Sequence, residues 1–146
     1  MDLRIYTNTC KYFTSMTDII YKDLSYKLNG IFYSVYNVLG SIYSEKQYQD
    51  VLEVKFKENN IKYEREKDLF FDFQNNKISG NKVDFVIENK TIIDIKAKKY
   101  IARKDYKQML RYLKAGKYRL GLIVNFGSSD KVTIKRIVNS DLKGKI

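Results

Sequence analysis

Val83-Asp84-Phe85-Val86-Ile87-Glu88-Asn89-Lys90-Thr91-Ile92-Ile93-Asp94-Ile95-Lys96 reads as two β-strands joined by a short loop. Val83, Phe85, Ile87, Thr91, Ile93 and Ile95 alternate with Asp84, Val86, Ile92, Asp94 and Lys96, which is the period of a strand. If Glu88-Asn89-Lys90 form a three-residue loop, Asp84 stands opposite Asp94, with Lys96 two residues further along the same face. Opposed residues on neighbouring strands have Cβ atoms about 4.5–5.5 Å apart. Two carboxylates that close repel unless a cation, a shared proton or solvent relieves them. A divalent metal between two carboxylates, with an amine beside it, is an arrangement that cuts phosphodiesters.

Working outward toward the N-terminus, Leu24, Leu28, Ile31, Phe32, Val35 and Leu39 recur at helical spacing, and Gly40 is placed to end that helix. Ser44 with Gln47 three residues on forms a capping-box pattern. It opens a second helix whose inner side carries Tyr48, Val51, Leu52 and Phe56, with Glu45 expected on the same stripe. Residues 61–73 read as a strand region and residues 74–82, with Ser79-Gly80-Asn81, as a turn. Beyond the hairpin, residues 105–115 form a third helix with Tyr106, Met109, Leu110 and Leu113 as its apolar positions, ended by Gly116. Leu120 to Phe126 is almost unbroken apolar sequence, as in a strand covered on both faces, and residues 132–138 alternate. The order ααβββαββ predicts an α/β fold (an α+β mixed sheet flanked by helices), in which the third helix links strands that could lie parallel. Residues 1–23 are set apart as an N-terminal extension and residues 24–146 as one domain; in the extension Leu3 to Tyr6 could form a short strand and Thr17-Asp18 could cap a helix.

Composition narrows the chemistry. The chain has 146 residues, 44% of them hydrophobic, enough for one core without disulfides. Its 28 Lys and Arg against 17 Asp and Glu give +11, which favours an anionic partner, nucleic acid first and an acidic membrane surface second. The excess is uneven: from Lys96 onward fifteen basic residues face only Asp105, Asp130 and Asp141, which puts the positive field near the proposed site. There is no histidine, which removes Ser-His-Asp hydrolysis, zinc-protease motifs and histidine-based RNase chemistry. Hydrolysis would have to run on carboxylates, Lys, Tyr, Gln and a metal. A lone Cys10 suits a reducing, cytoplasmic setting. No apolar run approaches the roughly 18–20 residues of a membrane span, and no signal-peptide core is readable at the N-terminus.

Asp84, nine residues, then Asp94-Ile95-Lys96 resembles the D-x(n)-(D/E)-x-K signature of the PD-(D/E)XK nuclease superfamily. Gln108-Met109-Leu110-Arg111-Tyr112 is similar to the Q-x-x-x-Y element of RecB-type nucleases. Glu45 and Tyr48 in SIYSEKQYQDVL, together with LGLIVNF (120–126) and KRIVN (135–139), resemble the GxxExxY family, over roughly residues 24–139. The resemblance implies a restriction-endonuclease-like αβββαβ core, with an extra helix before it and a strand after it. It also implies Mg²⁺, for which Mn²⁺ can substitute, bound by Asp84, Asp94 and the Ile95 carbonyl, with Glu45 as a further direct or water-mediated ligand. Lys96 would position or deprotonate the attacking water, Gln108 would orient water or a phosphate, and Tyr112 would buttress the site. DNA would be cut to 5′-phosphate and 3′-hydroxyl ends. Two positions depart from the family pattern: Asp94 where glutamate is usual, and Tyr36 where the first helix often has histidine. The glycine of the motif is displaced as well, Ile42 standing three residues before Glu45.

The basic residues Lys98, Lys99, Arg103, Lys104, Lys107 and Arg111 are placed to follow phosphates. The competing reading is a nucleic-acid-binding module with a weakened or inactive site, to which the two departures point. A role in protein interaction within a larger assembly is a third possibility. DNA against RNA, strandedness, the position of cutting and homodimer formation stay open at this level.

Overall fold

The computed structural model describes residues 3–6 and 20–142. Cys10 and the proposed Thr17-Asp18 cap lie outside the described residues. The elements are β1 (Leu3–Tyr6), α1 (Lys22–Leu39), α2 (Glu45–Glu58), β2 (Tyr63–Phe73), β3 (Asn76–Ile87), β4 (Thr91–Lys96), α3 (Arg103–Gly116), β5 (Leu120–Asn125) and β6 (Thr133–Asn139). A 3₁₀ turn follows at Ser140–Leu142. The strands form one six-stranded sheet in the order β1-β6-β5-β4-β3-β2. Among the described residues only β4 and β5 pair in parallel, and α3 is the crossover between them. The strand expected at Leu3–Tyr6 is β1, antiparallel to β6 at the sheet edge.

Each helix follows from its sequence. Helix α1 begins after Tyr21 in the left-handed conformation and ends at Gly40, whose N–H bonds the Tyr36 carbonyl and whose positive φ turns the chain out of the helix. The Ser44–Gln47 capping box opens α2, each residue bonding the other's backbone N–H. Leu28, Phe32 and Val35 of α1 and Tyr48, Leu52 and Phe56 of α2 are buried on one face of the sheet against Phe85, Ile87, Ile93 and Ile95. Tyr48 stacks on Phe126 with ring centroids 4.4 Å apart and donates its hydroxyl proton to the Gly40 carbonyl.

The sequence places Asp84, Val86, Ile92, Asp94 and Lys96 on the opposite face. Helix α3 covers that face: Met109, Tyr112 and Leu113 pack on Val86, Ile92, Ile123 and Ile137, and Val83, expected with Phe85 and Ile87, belongs to this cluster instead. Gly121 makes this contact close, since a methyl group there would collide with the Met109 side chain.

The predicted turn at residues 74–82 is mostly strand. The chain reverses over Gln74-Asn75 alone, both at positive φ, and Asn76 already pairs with Phe73. Two central residues in that conformation are the tight hairpin turn that matches strand twist. Ser79-Gly80-Asn81, which looked like a turn, carries a bulge: Leu69 pairs with Asn81 but Phe71 pairs with Ile78, so β3 has one extra residue there. Gly80, at φ 110°, supplies the needed backbone. The result is a two-stranded ribbon reaching beyond the part of β3 that pairs with β4.

Candidate active site

The β3–β4 register places Ile87 opposite Thr91, Val86 opposite Ile92 and Phe85 opposite Ile93 around the Glu88–Lys90 loop. The next pair in that register is Asp84 with Asp94. There the Asp84 carboxylate takes over as acceptor, receiving the Ile95 backbone N–H at 2.7 Å. Asp94 is buried at the β4–β5 junction, opposite Ile123. Its Oδ2 contacts Lys96 Nζ at 3.1 Å without hydrogen-bond geometry and has no hydrogen-bond partner.

Lys96 donates to Gln108 Oε1 at 3.0 Å, so α3 and β4 meet through their polar side chains at this point. Tyr112, one turn along α3, is buried beneath the same charges. Burial pushes its hydroxyl pKa up, and Asp94 and Asp84 add to the rise.

The electrostatics are those of a crowded acid pair. Burial, then the charge of Asp94, pushes Asp84 up to about 7, although the Ile95 N–H pulls the other way. Lys96 loses hydration, which favours its neutral form. The carboxylates of Asp94, Asp105 and Glu45 outweigh that and leave its pKa raised, so it is an ammonium at neutral pH. A buried carboxylate oxygen without a hydrogen bond, beside a second carboxylate that keeps its proton near neutrality, fits a hard divalent cation. Among the described residues no three acidic side chains converge closely enough to hold an ion by themselves. Water, a backbone carbonyl or a substrate phosphate would have to complete the shell.

Glu45 requires a correction. It was expected on the inner stripe of α2 with Tyr48 and Leu52. It is instead exposed, as the first residue of the helix. The first helical turn accommodates acids because the unpaired N–H groups there are partly positive. From that position Glu45 forms the rim of a cleft of about 390 Å³ with Lys96, Lys98, Lys104, Asp105, Gln108 and Arg111. Lys98, Lys104 and Arg111 of the six predicted phosphate-tracking residues therefore line the cleft. Lys99, Arg103 and Lys107 are exposed but are not among its lining residues. Tyr36 donates to the Ser128 carbonyl at 2.6 Å and is not among the residues that line the cleft.

Two residues escaped the sequence reading. Asp105 is buried at the start of α3, accepts the Ala102 N–H at 2.7 Å, pairs with Lys98 and lies 3.8 Å from Lys96. Burial pushes its carboxyl up, but Lys98, the Ala102 N–H and Lys96 together leave it below its ordinary value. An acid three residues into a helix was the available signal. Asn125, at the end of β5, accepts the Lys98 N–H at 3.1 Å and donates to the Lys98 carbonyl at 2.7 Å. It fixes the chain just after Lys96, and Gly127 lies so close to the Lys98 backbone that a side chain there would collide. Asp105→Ala is expected to cost about 1–2 kcal/mol from the lost cap and lysine partner, which a thermal melt would register.

A family model described as PD-(D/E)XK nuclease superfamily matches residues 22–137. The chain belongs to the PD-(D/E)XK nuclease superfamily. Its helices and mixed sheet are consistent with the superfamily's restriction-endonuclease-like core. Superfamily members are generally nucleases and usually use divalent metals. The solved structure titled "Crystal structure of SSO0001" is similar at TM-score 0.51 and 22% identity, over 64% of this chain and 49% of that one. This chain thus corresponds to about half of that structure's length, and the likeness is one of fold. No curated protein matches. No helix among the described residues of this superfamily member is long and apolar enough to cross a membrane.

Proposed function

We propose that this protein is a Mg²⁺-dependent nuclease that hydrolyses phosphodiester bonds in DNA. The observation that carries the reading is the convergence of Asp84, Asp94 and Lys96 where β3 and β4 part, beside a basic cleft, in a chain of the nuclease superfamily. Asp84 and Asp94, with the Ile95 carbonyl, would hold the ion, and Glu45 at the rim would reach it through water. The chemistry such an ion would supply is activation of the attacking water and relief of charge on the phosphate.

The remaining work falls to this chain's own side chains. Lys96, an ammonium fixed between Asp94 and Gln108, orients the attacking water and faces the negative charge that grows on the phosphate. Gln108 holds the Lys96 headgroup. Lys98, Lys104 and Arg111 offer the phosphate backbone a positive wall along one side of the cleft. Tyr112, buried one turn along α3 from Gln108, would buttress the site from below.

Wild type and Asp94→Ala, incubated with labelled single- and double-stranded DNA and RNA in Mn²⁺ or Mg²⁺, test the proposal. Metal-dependent DNA cleavage by wild type, lost with chelator and reduced at least about 10³-fold in the variant, is the expected result. Equal cleavage by both proteins, or none by wild type in either metal, would remove the enzyme reading.

A further inference from the structure

We infer that the β2–β3 ribbon is a base-stacking platform that makes single-stranded nucleic acid, rather than duplex, the preferred occupant of the cleft. The inference rests on the nucleic-acid reading above and names the form of the ligand.

The ribbon is not fully accounted for by the fold. Leu69, Phe71 and Phe73 alternate along β2 and so share a face. Leu69 is buried against the cluster under α3, but Phe71 is 42% and Phe73 59% exposed. Phe71 stands opposite Ile78 and helps to hold the ribbon together; Phe73 stands opposite Asn76 and has no apolar residue across from it. The apolar strip that begins under α3 therefore continues outward into solvent as exposed aromatic rings.

What fits that surface is indicated by its neighbour. Arg111, which lines the cleft, donates through Nε to Asn81 Oδ1 of the ribbon at 3.0 Å. The ribbon stem is thus tied to the helix that presents Lys104, Lys107 and Arg111 to solvent. A ligand spanning both must carry dense negative charge beside planar apolar groups, which describes a polynucleotide. Phenylalanine offers no hydrogen bond to a base edge, so it cannot read a duplex groove as polar side chains do. It can stack on a base face, and that face is available only where the strand is unpaired.

The test is binding of a labelled oligothymidylate and of a duplex of equal length, both in chelator so that nothing is cut. Phe71→Ala/Phe73→Ala is expected to weaken single-strand binding by about tenfold or more and duplex binding much less. The slope of affinity against salt should stay unchanged, because no phosphate contact is removed. Phe73→Trp, which keeps a stacking face, should bind at least as tightly as wild type, and it stands in if the double variant does not fold.

Unchanged single-strand affinity in the double variant, equal losses on both ligands, or weaker binding by Phe73→Trp would overturn the platform and leave the nuclease reading intact. Sedimentation showing a wild-type dimer that Phe71→Ala/Phe73→Ala dissolves would assign the strip to a second copy of the chain instead. No binding of either oligonucleotide by wild type would remove the nucleic-acid reading itself, and the platform with it.

Discussion

Lys96→Ala is expected to lower metal-supported cleavage by at least about 10³-fold and, without metal at neutral pH, to destabilise the fold by about 3 kcal/mol. Both effects come from one position. The ammonium is 3.1 Å from Asp94, 3.0 Å from Gln108 and 3.8 Å from Asp105, and it is mostly buried. Taking away one partner of a buried ion pair leaves the other charge in low dielectric, and here Asp94 would stay behind with Asp84 close by. For a chain of this size such a loss corresponds to a melting temperature lower by about 10 °C. The raised pKa of Lys96 means that its stabilising contribution is complete below the ordinary lysine value of 10.5 and disappears only as the pH rises through the higher folded value. The loss should therefore be fully visible at neutral pH. A divalent cation replaces the missing positive charge, so added Mg²⁺ should return much of the melting temperature and none of the cleavage. Melting scans with and without Mg²⁺, beside single-turnover cleavage, separate the two effects. Wild-type cleavage by this variant would mean that the reacting site lies elsewhere.

Asp84→Asn should have the opposite effect on stability. With its pKa at about 7 in the folded chain against an ordinary value of 3.8, Asp84 holds its proton far longer when folded than when unfolded. Between those two values the folded state binds more protons than the unfolded state, so stability falls as the pH rises. Once ionised, the side chain costs the metal-free fold about 4 kcal/mol, at 1.36 kcal/mol for each of the roughly three tenfold changes in acidity. Asparagine preserves the shape and the acceptor for the Ile95 N–H but cannot ionise. The variant should melt like wild type at about pH 4 and at least about 10 °C higher at about pH 8, both in chelator. It should also lose the divalent ion, because one of the two anionic oxygen donors is gone. A residue that destabilises its own fold at neutral pH fits a binding role, since function often retains groups that stability alone would not. A higher melting temperature at acid pH alone would contradict the assigned burial and charge repulsion.

The sequence carried the central hairpin well because its information is local. A three-residue loop between two alternating runs fixes the register, and the register fixes which residue faces Asp84. The helices followed for the same reason: the Ser44–Gln47 box and the Leu28-Phe32-Val35 stripe are short-range patterns.

Where long-range packing decides, the reading fell short. Val86 and Ile92 sit on the face that carries Asp84 and Asp94, and only the docking of α3 reveals that this face is covered. Gln74 to Lys82 contains so many turn-forming residues that a two-residue turn and a bulge cannot be told from a loop without the partner strand. Glu45 appeared inward because its spacing to Tyr48 and Leu52 is helical, but it is the first residue of its helix, beyond the reach of the core. Asp105 meets Lys96 at the end of β4 and Lys98 just after it, while Asn125 pins Lys98 from the end of β5, across the sheet. Asp105's position in the first turn of α3 was its one local signal, and Asn125 had none.

Calorimetric titration of Mn²⁺ into wild type and Asp84→Ala, at neutral pH and in buffers of different ionisation enthalpy, tests the two-carboxylate site most directly. The expected result is one ion bound by wild type with release of protons, since burial and the charge of Asp94 raise the Asp84 carboxyl toward neutrality and it must ionise to bind, and no such binding by the variant. Absence of metal binding by wild type, or the same heat and proton release from both proteins, would contradict the account.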